Sequence, residues 1–472
     1  MIPEFAIMGH PNEGKSSVLS TLAEDDSVGI SPLPGETILC RTFPVTIDGE
    51  VIISFTDTPG FQNPGRMLSE LKRYADAGIS PLEKFYSEHR YDRDLEHDCE
   101  LLRPLLRGAG IIYVADGSRP IRNVDLAEME ILRLSGKPRM AILNCKADDR
   151  ESLERWKTEF RKHFNSSRIF NAHRATYRER IMLLEALKSI EQDWQESLDY
   201  VVNTFKNDWQ SRNSRSADII CEMISACLRY TLQKSLGEGT SIEQAKEKLF
   251  QRYLEDIKKM EENHHLRMKK LYKHNIFNYQ LPSHSILHQD LFASQTWEFL
   301  GLKRSQLAVA GGAGGAALAA GLDIAAGGSS LGIFTSIGGA LGALGAVYGT
   351  RNIASKIKVL GIDTGRIRLS IGPNKNSQFP YILLDRALLY YSHIINWAHG
   401  RRDYDASTAT AVTTGLSREL PRSSLKTIGN YFRAIIREDD DIDLHEKEFK
   451  EIVLSILTSI SNADDYEKDP LD

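Results

Sequence analysis

The chain is poor in the features that mark secreted, metal-stapled or nucleic-acid-coating proteins. Its 472 residues include only five cysteines, Cys40, Cys99, Cys145, Cys221 and Cys227. The number is odd and no two form a C-x-x-C pair, so neither a disulfide framework nor a zinc site is expected. His10, His89 and His97 likewise lack the spacing of metal ligands. The N-terminus, Met1-Ile2-Pro3-Glu4, has no basic stretch and runs straight into an apolar segment. A signal peptide is therefore not expected, and a cytoplasmic location fits best. Positive charge is not in excess: 59 Lys and Arg stand against 64 Asp and Glu. The net charge of −5 and a pI near 6.3 argue against general nucleic-acid binding. Long apolar runs are missing too, save one deep in the chain. A composition of 41% hydrophobic and 26% charged residues is globular, and the length suffices for two or three domains.

What is present is concentrated near the start. Residues 9–16 read Gly-His-Pro-Asn-Glu-Gly-Lys-Ser, a G-x-x-x-x-G-K-S pattern. Glycines allow a tight backbone curl whose N–H groups can point at phosphate oxygens. Lys15 would neutralise those phosphates, and the Ser16 hydroxyl would ligate Mg²⁺. The apolar run Phe5–Met8 before it suits a buried strand, and Ser17–Leu22 after it fits a helix, as the motif requires. The candidate nucleotide-binding set in this loop is Gly9, Asn12, Glu13, Gly14, Lys15, Ser16 and Ser17. Asp48-Gly49 between the runs Thr42–Ile47 and Val51–Phe55 signals a hairpin. Its second strand leads into Asp57-Thr58-Pro59-Gly60. An acidic residue there can hold Mg²⁺ through the ion's water shell, and the Gly60 N–H can meet a terminal phosphate. Between the two motifs lies Pro34-Gly35-Glu36-Thr37, a loop whose threonine could close over metal and phosphate. Ile111–Ala115, Met140–Leu143 and Arg168–Phe170 are further strand candidates separated by helical stretches. An α/β fold follows: a mostly parallel sheet with helices on both faces and ligands at the strands' carboxyl ends.

Gly9–Ser16, Pro34–Thr37 and Asp57–Gly60 together resemble the TrmE–Era class of translation-factor-related GTPases, over about residues 1–195. The resemblance implies a P-loop G domain that hydrolyses GTP. It implies a catalytic set of Lys15, Thr37 and Gly60, and a Mg²⁺ site of Ser16, Thr37 and Asp57. Phe61 falls where other GTPases carry a water-orienting glutamine, which implies slow hydrolysis without a partner, dimerisation or potassium; Gln62 is a weaker substitute. Asn12 matches a loop asparagine that coordinates K⁺ in several members, though it could equally hydrogen-bond the loop. The base-recognition motif is irregular. Asn144-Cys145-Lys146-Ala147-Asp148 has one residue more than N-K-x-D. Lys146 and Asp148, with Asn171 and Ala172, are nonetheless expected at the base, with guanine favoured. Leu68–Ala75, Leu82–Tyr86 and Leu95–Leu106 look helical, and the charged run Glu88–Asp94 between them is a solvated face or a surface for a protein partner or a second copy.

The second half is mainly helical in pattern. Ile219–Leu232 reads as a buried helix, and Glu243–Tyr272 carries Leu249, Tyr253, Ile257 and Met260 at helical spacing. Leu307–Gly349 contains a single charge, Asp323, and is rich in Gly and Ala. It reads as a hairpin of two apolar arms with G-x-x-x-G spacing, between basic flanks. Membrane association at the cytoplasmic face is the favoured reading; a sheltered hairpin in a soluble domain is the other. Arg366–Ser370 reads as a short strand, Ile382–Ala398 as an amphipathic helix and Lys447–Ser461 as a last helix. Leu291-Phe292, Trp297 and Leu300-Gly301-Leu302, with the Gly/Ala segment, resemble an unassigned domain found behind such G domains in bacterial GTPases. The expected organisation is a G domain over 1–195, a helical domain over 196–300, a Gly/Ala-rich hairpin over 301–358 and a mainly helical region over 359–472. The expected function is a GTP/GDP switch coupled to its helical half. The alternatives are a membrane-perturbing effector triggered by the G domain and a ribosome- or RNA-linked assembly factor.

Overall fold

The computed structural model describes residues 2–23, 39–76, 80–144, 150–170, 177–237, 241–272, 285–303, 305–307, 309–310, 358–363, 366–395, 415–438 and 441–462. Two compact units divide the chain, the first running up to Ser211 and the second taking over at Arg212.

The first unit is built on strands β1 (Glu4–Met8), β2 (Arg41–Ile47), β3 (Glu50–Asp57), β4 (Gly110–Asp116), β5 (Arg139–Asn144) and β6 (Ser166–Phe170). Their order is β2-β3-β1-β4-β5-β6, with β2 antiparallel to β3 and the rest parallel. β2 is an edge strand, so Pro44 within it costs no interior ladder bond. Asp48 and Gly49, at φ 51° and 86°, make the expected hairpin turn. β1 alternates strictly between two cores. Phe5 and Ile7 join Val18, Leu22 and Phe55 on one face of the sheet. That face is covered by α1 (Lys15–Ala23), α7 (Tyr177–Leu187) and the first turns of α8 (Gln195–Arg229), which bring Leu198, Val201 and Phe205. Ala6 and Met8 join Met67, Leu102, Tyr113 and Trp156 on the other face. There lie α2 (Pro64–Asp76), α3 (Pro81–His89), α4 (Glu96–Leu106), α5 (Asn123–Leu134) and α6 (Arg150–His163). The strands and helices expected between residues 5 and 170 are all present.

The second unit is mainly helical, with α9 (Ile242–Leu271), α10 (Ser294–Phe299), α11 (Phe379–Ile395), α12 (Arg422–Arg437) and α13 (Ile442–Asn462). It also holds a small antiparallel sheet in the order β7-β9-β8, from β7 (Leu232–Leu236), β8 (Lys358–Asp363) and β9 (Arg366–Ile371). This corrects the expected helix over Ile219–Leu232: α8 stops at Arg229, and Leu232 pairs with Ile371. A strand of five residues with three exposed side chains carries too little period-2 signal to be read locally. The expected amphipathic helix after Ile382 is also corrected, because residues 379–391 of α11 are all buried. Its two charges are paired inside. Arg386 donates to Glu261 at 2.5 and 3.2 Å, and Asp385 accepts N–H bonds from Gly301 and Ser417, both at 2.7 Å. A helix buried on every side tolerates charge only when it is satisfied in this way. Among the described residues no helix is long and apolar enough to cross a membrane. All but the first residues of the Gly/Ala segment lie outside the described residues.

Ala310, at the entry to that segment, is buried with its carbonyl against Gly429 of α12, where any Cβ would collide with it. In an open helix, Gly→Ala gains about 1 kcal/mol. At Gly429 the collision reverses the sign. Gly429→Ala is expected to destabilise the second unit by about 1–3 kcal/mol in chemical unfolding; unchanged or raised stability would show that Ala310 does not pack there.

Candidate functional site

The loop from β1 to α1 emerges where the sheet's connections diverge, since β1 pairs with β3 on one side and β4 on the other. That is the position at which open α/β sheets bind ligands. Three loop residues have left-handed backbone, Gly9 (φ 143°), Asn12 (φ 68°) and Gly14 (φ 91°). Gly9 and Gly14 also lack room for a side chain: a Cβ would meet the Val114 carbonyl at the first and the Asn144 side chain at the second. The glycine spacing of the motif is thus a packing requirement as well as a conformational one.

Lys15 opens α1 and turns back over the loop. Its ammonium donates to the carbonyls of Gly9 (3.2 Å) and His10 (3.0 Å). Burial pulls its pKa below the ordinary 10.5, while Asp57, Glu128 and Glu13 oppose that pull. Ser16 Oγ donates to Asp57 Oδ2 at 3.4 Å, which joins the two motifs across the ends of β1 and β3. A hydroxyl and a buried carboxylate side by side suit a hard divalent cation, held directly by one and through water by the other. Thr58 Oγ1 donates to the Ile7 carbonyl at 2.7 Å and fixes the end of β3 to β1. Gly60 then lies on the loop: a Cβ there would come 2.6 Å from Pro11 Cδ. Phe61 is only 1% exposed and belongs to the core under α2, so it cannot face a water molecule at the phosphates. Gln62 is exposed and its side-chain nitrogen rests 3.4 Å from the Gly60 carbonyl. Asn12 is exposed, while Ser17 is buried within α1.

Two anchors hold this loop. The first is Asn144, the buried last residue of β5, whose Nδ2 donates to the Glu13 carbonyl at 3.2 Å. The asparagine of the irregular base motif therefore reaches the phosphate loop, although one extra residue separates it from Lys146. The second anchor has no local sequence signal. The Glu13 carboxylate accepts the Asp116 N–H (2.5 Å) and both Arg119 Nε (3.2 Å) and Nη2 (2.5 Å). Arg119 in turn forks onto Asp125 at 2.7 and 2.9 Å, and Arg122 reaches both acids at 3.0 and 3.2 Å. His10 Nδ1 lies 2.7 Å from Glu128, which also accepts the Tyr113 hydroxyl at 2.9 Å. These partners lie more than a hundred residues from the loop, and ordinary charged residues gave no reason to single them out. Thr37, Lys146, Asp148, Asn171 and Ala172 lie outside the described residues.

Strand order, a glycine loop opening into a helix and an acidic strand end beside it define a P-loop nucleotide-binding domain. Residues 4–145 match the family model described as 50S ribosome-binding GTPase, so the first unit carries a GTPase G domain. Residues 157–458 match the model described as Domain of unknown function (DUF3482), nearly two thirds of the chain, and the protein belongs to that family. GTPase Der of Bifidobacterium longum is 30% identical over 161 residues, covering 33% of this chain and 30% of that one. GTPase Der of Agathobacter rectalis is 36% identical over 73 residues, covering 16% of each. The chain thus spans less than a third of the length of these curated relatives. Among solved structures, Era in complex with MgGDPNP and nucleotides 1506–1542 of 16S ribosomal RNA is 18% identical, covers 57% of this chain and 89% of that one, and has a TM-score of 0.26. NFeoB from S. thermophilus bound to GDP.AlF4⁻ and K⁺ is 15% identical, covers 58% and 89%, and has a TM-score of 0.27.

Asn144→Ala leaves the Glu13 carbonyl without this donor, at a cost of about 1–3 kcal/mol, so nucleotide Kd is expected to rise about tenfold. An unchanged Kd by titration would show that the loop does not depend on this anchor. The pair around Arg119 has an acid signature. Burial pushes the Asp125 carboxyl up, but Arg119 and Arg122 outweigh it and hold the group below its ordinary 3.8. The stability Asp125 contributes is complete above that unfolded value and is lost as pH falls through the depressed one. Arg119→Ala is expected to cost about 3 kcal/mol at neutral pH, with the gap to wild type narrowing below about pH 4. A pH-independent gap would contradict the pairing.

Proposed function

We propose that the chain is a GTP-binding switch that hydrolyses GTP to GDP and phosphate and couples the nucleotide's state to its C-terminal half. The observation that carries this reading is the meeting of Lys15, Ser16 and Asp57 at the carboxyl ends of β1 and β3, beneath a loop fastened by Asn144. Lys15 would give up its carbonyl partners for the β and γ phosphates, and the N–H groups opening α1 would face the same oxygens. Ser16 and Asp57, joined by Thr37, would hold Mg²⁺, which when bound neutralises charge developing on the phosphates. The Gly60 N–H would read the γ-phosphate. Asn12 would hold K⁺, supplying positive charge where Phe61 offers no polar group. Lys146, Asp148 and the backbone at Asn171–Ala172 would select guanine.

The output is proposed to be membrane association through the Gly/Ala-rich residues 307–349, governed by the bound nucleotide. G-x-x-x-G spacing between basic flanks supports it. A ribosome-linked assembly role is the second reading, favoured by the description of the family matched at residues 4–145. Fractionation of wild type and a 307–349 deletion with GTP or GDP separates the two. Wild type but not the deletion should sediment with membranes; if both stay in the supernatant in every state, the membrane reading fails.

Lys15→Ala is expected to cut GTP binding and phosphate release by about a hundredfold or more in Mg²⁺ buffer. Normal turnover by that variant would remove the basis of the reading.

A further inference from the structure

α3 and α4 lie between α2 and β4, and α4 holds two segments: Gln62–Asn63, just after Gly60 (switch II), and Cys40, three residues after Thr37 of the Pro34–Thr37 loop (switch I). Asp98 on α4 is fully buried. Its Oδ1 accepts the Gln62 N–H at 3.1 Å, and its Oδ2 accepts the Asn63 N–H at 3.1 Å. These are the residues directly after Gly60 and Phe61. The Asn63 side chain donates to the Asp94 carbonyl at 2.7 Å, and Arg66 pairs with Asp92 at 2.8 Å, so the start of α2 is tied to the turn that leads into α4. Two residues further along α4, the Glu100 carboxylate accepts the Cys40 N–H at 3.0 Å, and the Glu100 carbonyl accepts the Cys40 thiol at 3.2 Å. Cys40 lies three residues after Thr37 and directly before β2. Residues two apart on a helix point to nearly opposite sides. One short helix therefore holds the segment after switch I on one side and switch II on the other.

We propose that Asp98 is a positioning residue for GTP hydrolysis: it latches the Gln62–Asn63 backbone so that Gly60 stays seated on the phosphate loop at Pro11. The inference rests on the GTPase reading above and adds a component carried by α4. A buried carboxylate is tolerated only while hydrogen bonds satisfy it. Here burial pushes the Asp98 carboxyl above its ordinary pKa, and the two N–H bonds pull the other way. Any swing of switch II strips the group of those donors, so the latch favours the seated arrangement. Gly60 has no side chain to lock itself in place, and Phe61 is anchored through its ring in the core. The backbone bonds to Asp98, with the Asn63 side chain on the Asp94 carbonyl, set the direction of the chain between that ring and α2.

The test compares wild type, Asp98→Ala and Asp98→Asn as full-length proteins with GTP and Mg²⁺. Asp98→Ala should keep KM within about threefold and lose about tenfold in kcat, because the change touches an arrangement used in the reaction more than in binding. Asparagine keeps one acceptor but sets an NH₂ against the second N–H, so Asp98→Asn should fall between the two. Amide exchange at Gln62 and Asn63 should speed up about tenfold in Asp98→Ala, with nucleotide or without it. Wild-type kcat and wild-type exchange in either folded variant would overturn the latch. If the alanine variant fails to fold, the asparagine variant decides on the same two readouts. A wild type that does not hydrolyse GTP would sink the GTPase reading instead, and the exchange rates would still judge the latch.

Discussion

The rest of the site depends on how Glu13 is held. Three residues of the loop between β1 and α1 sit at positive φ. Such a backbone has few contacts of its own and must be held from outside. Glu13 does this twice over: its carbonyl accepts from Asn144 at the end of β5, and its carboxylate accepts from Asp116 at the end of β4. Two neighbouring strands thus fix one residue of the curl. The direction of Lys15, the approach of Ser16 to Asp57 and the seat for Gly60 all follow from that fixed position.

The buried charges at this site are paired with one another. The buried acids Glu13 and Asp125 are met by Arg119 and Arg122, and Glu128 is met by His10 and Tyr113. Lys15 is desolvated but sits among Asp57, Glu128 and Glu13. Uncompensated, any one of these charges would cost several kcal/mol to bury. Paired, they form a polar setting that holds the loop while Lys15 is left to exchange its carbonyl partners. Arg119 also connects the loop outward: its carbonyl accepts from Trp156 of α6 at 2.8 Å, so the loop's electrostatic support reaches the helices on that face of the sheet.

Much of the first unit was legible because its signals are local. Phe5–Met8, the Asp48-Gly49 turn and the glycine loop each state their conformation within a few residues, and the structure has them as expected. The proximity of Ser16 and Asp57 was expected from the resemblance that their two motifs carry, and it comes about because β1 pairs with β3. Asn144 was half legible: it was noted as the asparagine of an irregular motif, but its bond to the Glu13 carbonyl was not foreseen. Arg119, Asp125 and Glu128 were invisible, since their meaning lies in bonds to residues more than a hundred positions away. Asp98 was hidden for a similar reason, as one acid among many in a charged helical stretch. In the second unit, β7 is too short and too exposed to show a period, and α11 masks its burial with an Asp-Arg pair that looks like a solvated face. The mainly helical character of that unit was legible; its small sheet arises from pairings of Leu232–Leu236 with residues some 130 positions on.

The central claim is that this fastened loop serves GTP. Its most direct test is equilibrium competition against a fluorescent GDP in Mg²⁺ buffer, with GTP and ATP as competitors. The account predicts that GTP displaces the probe and that ATP requires at least about tenfold more, since a site built to pair with one base leaves polar groups unpaired with the other. Failure of the probe to bind, or equal competition by ATP, would contradict it.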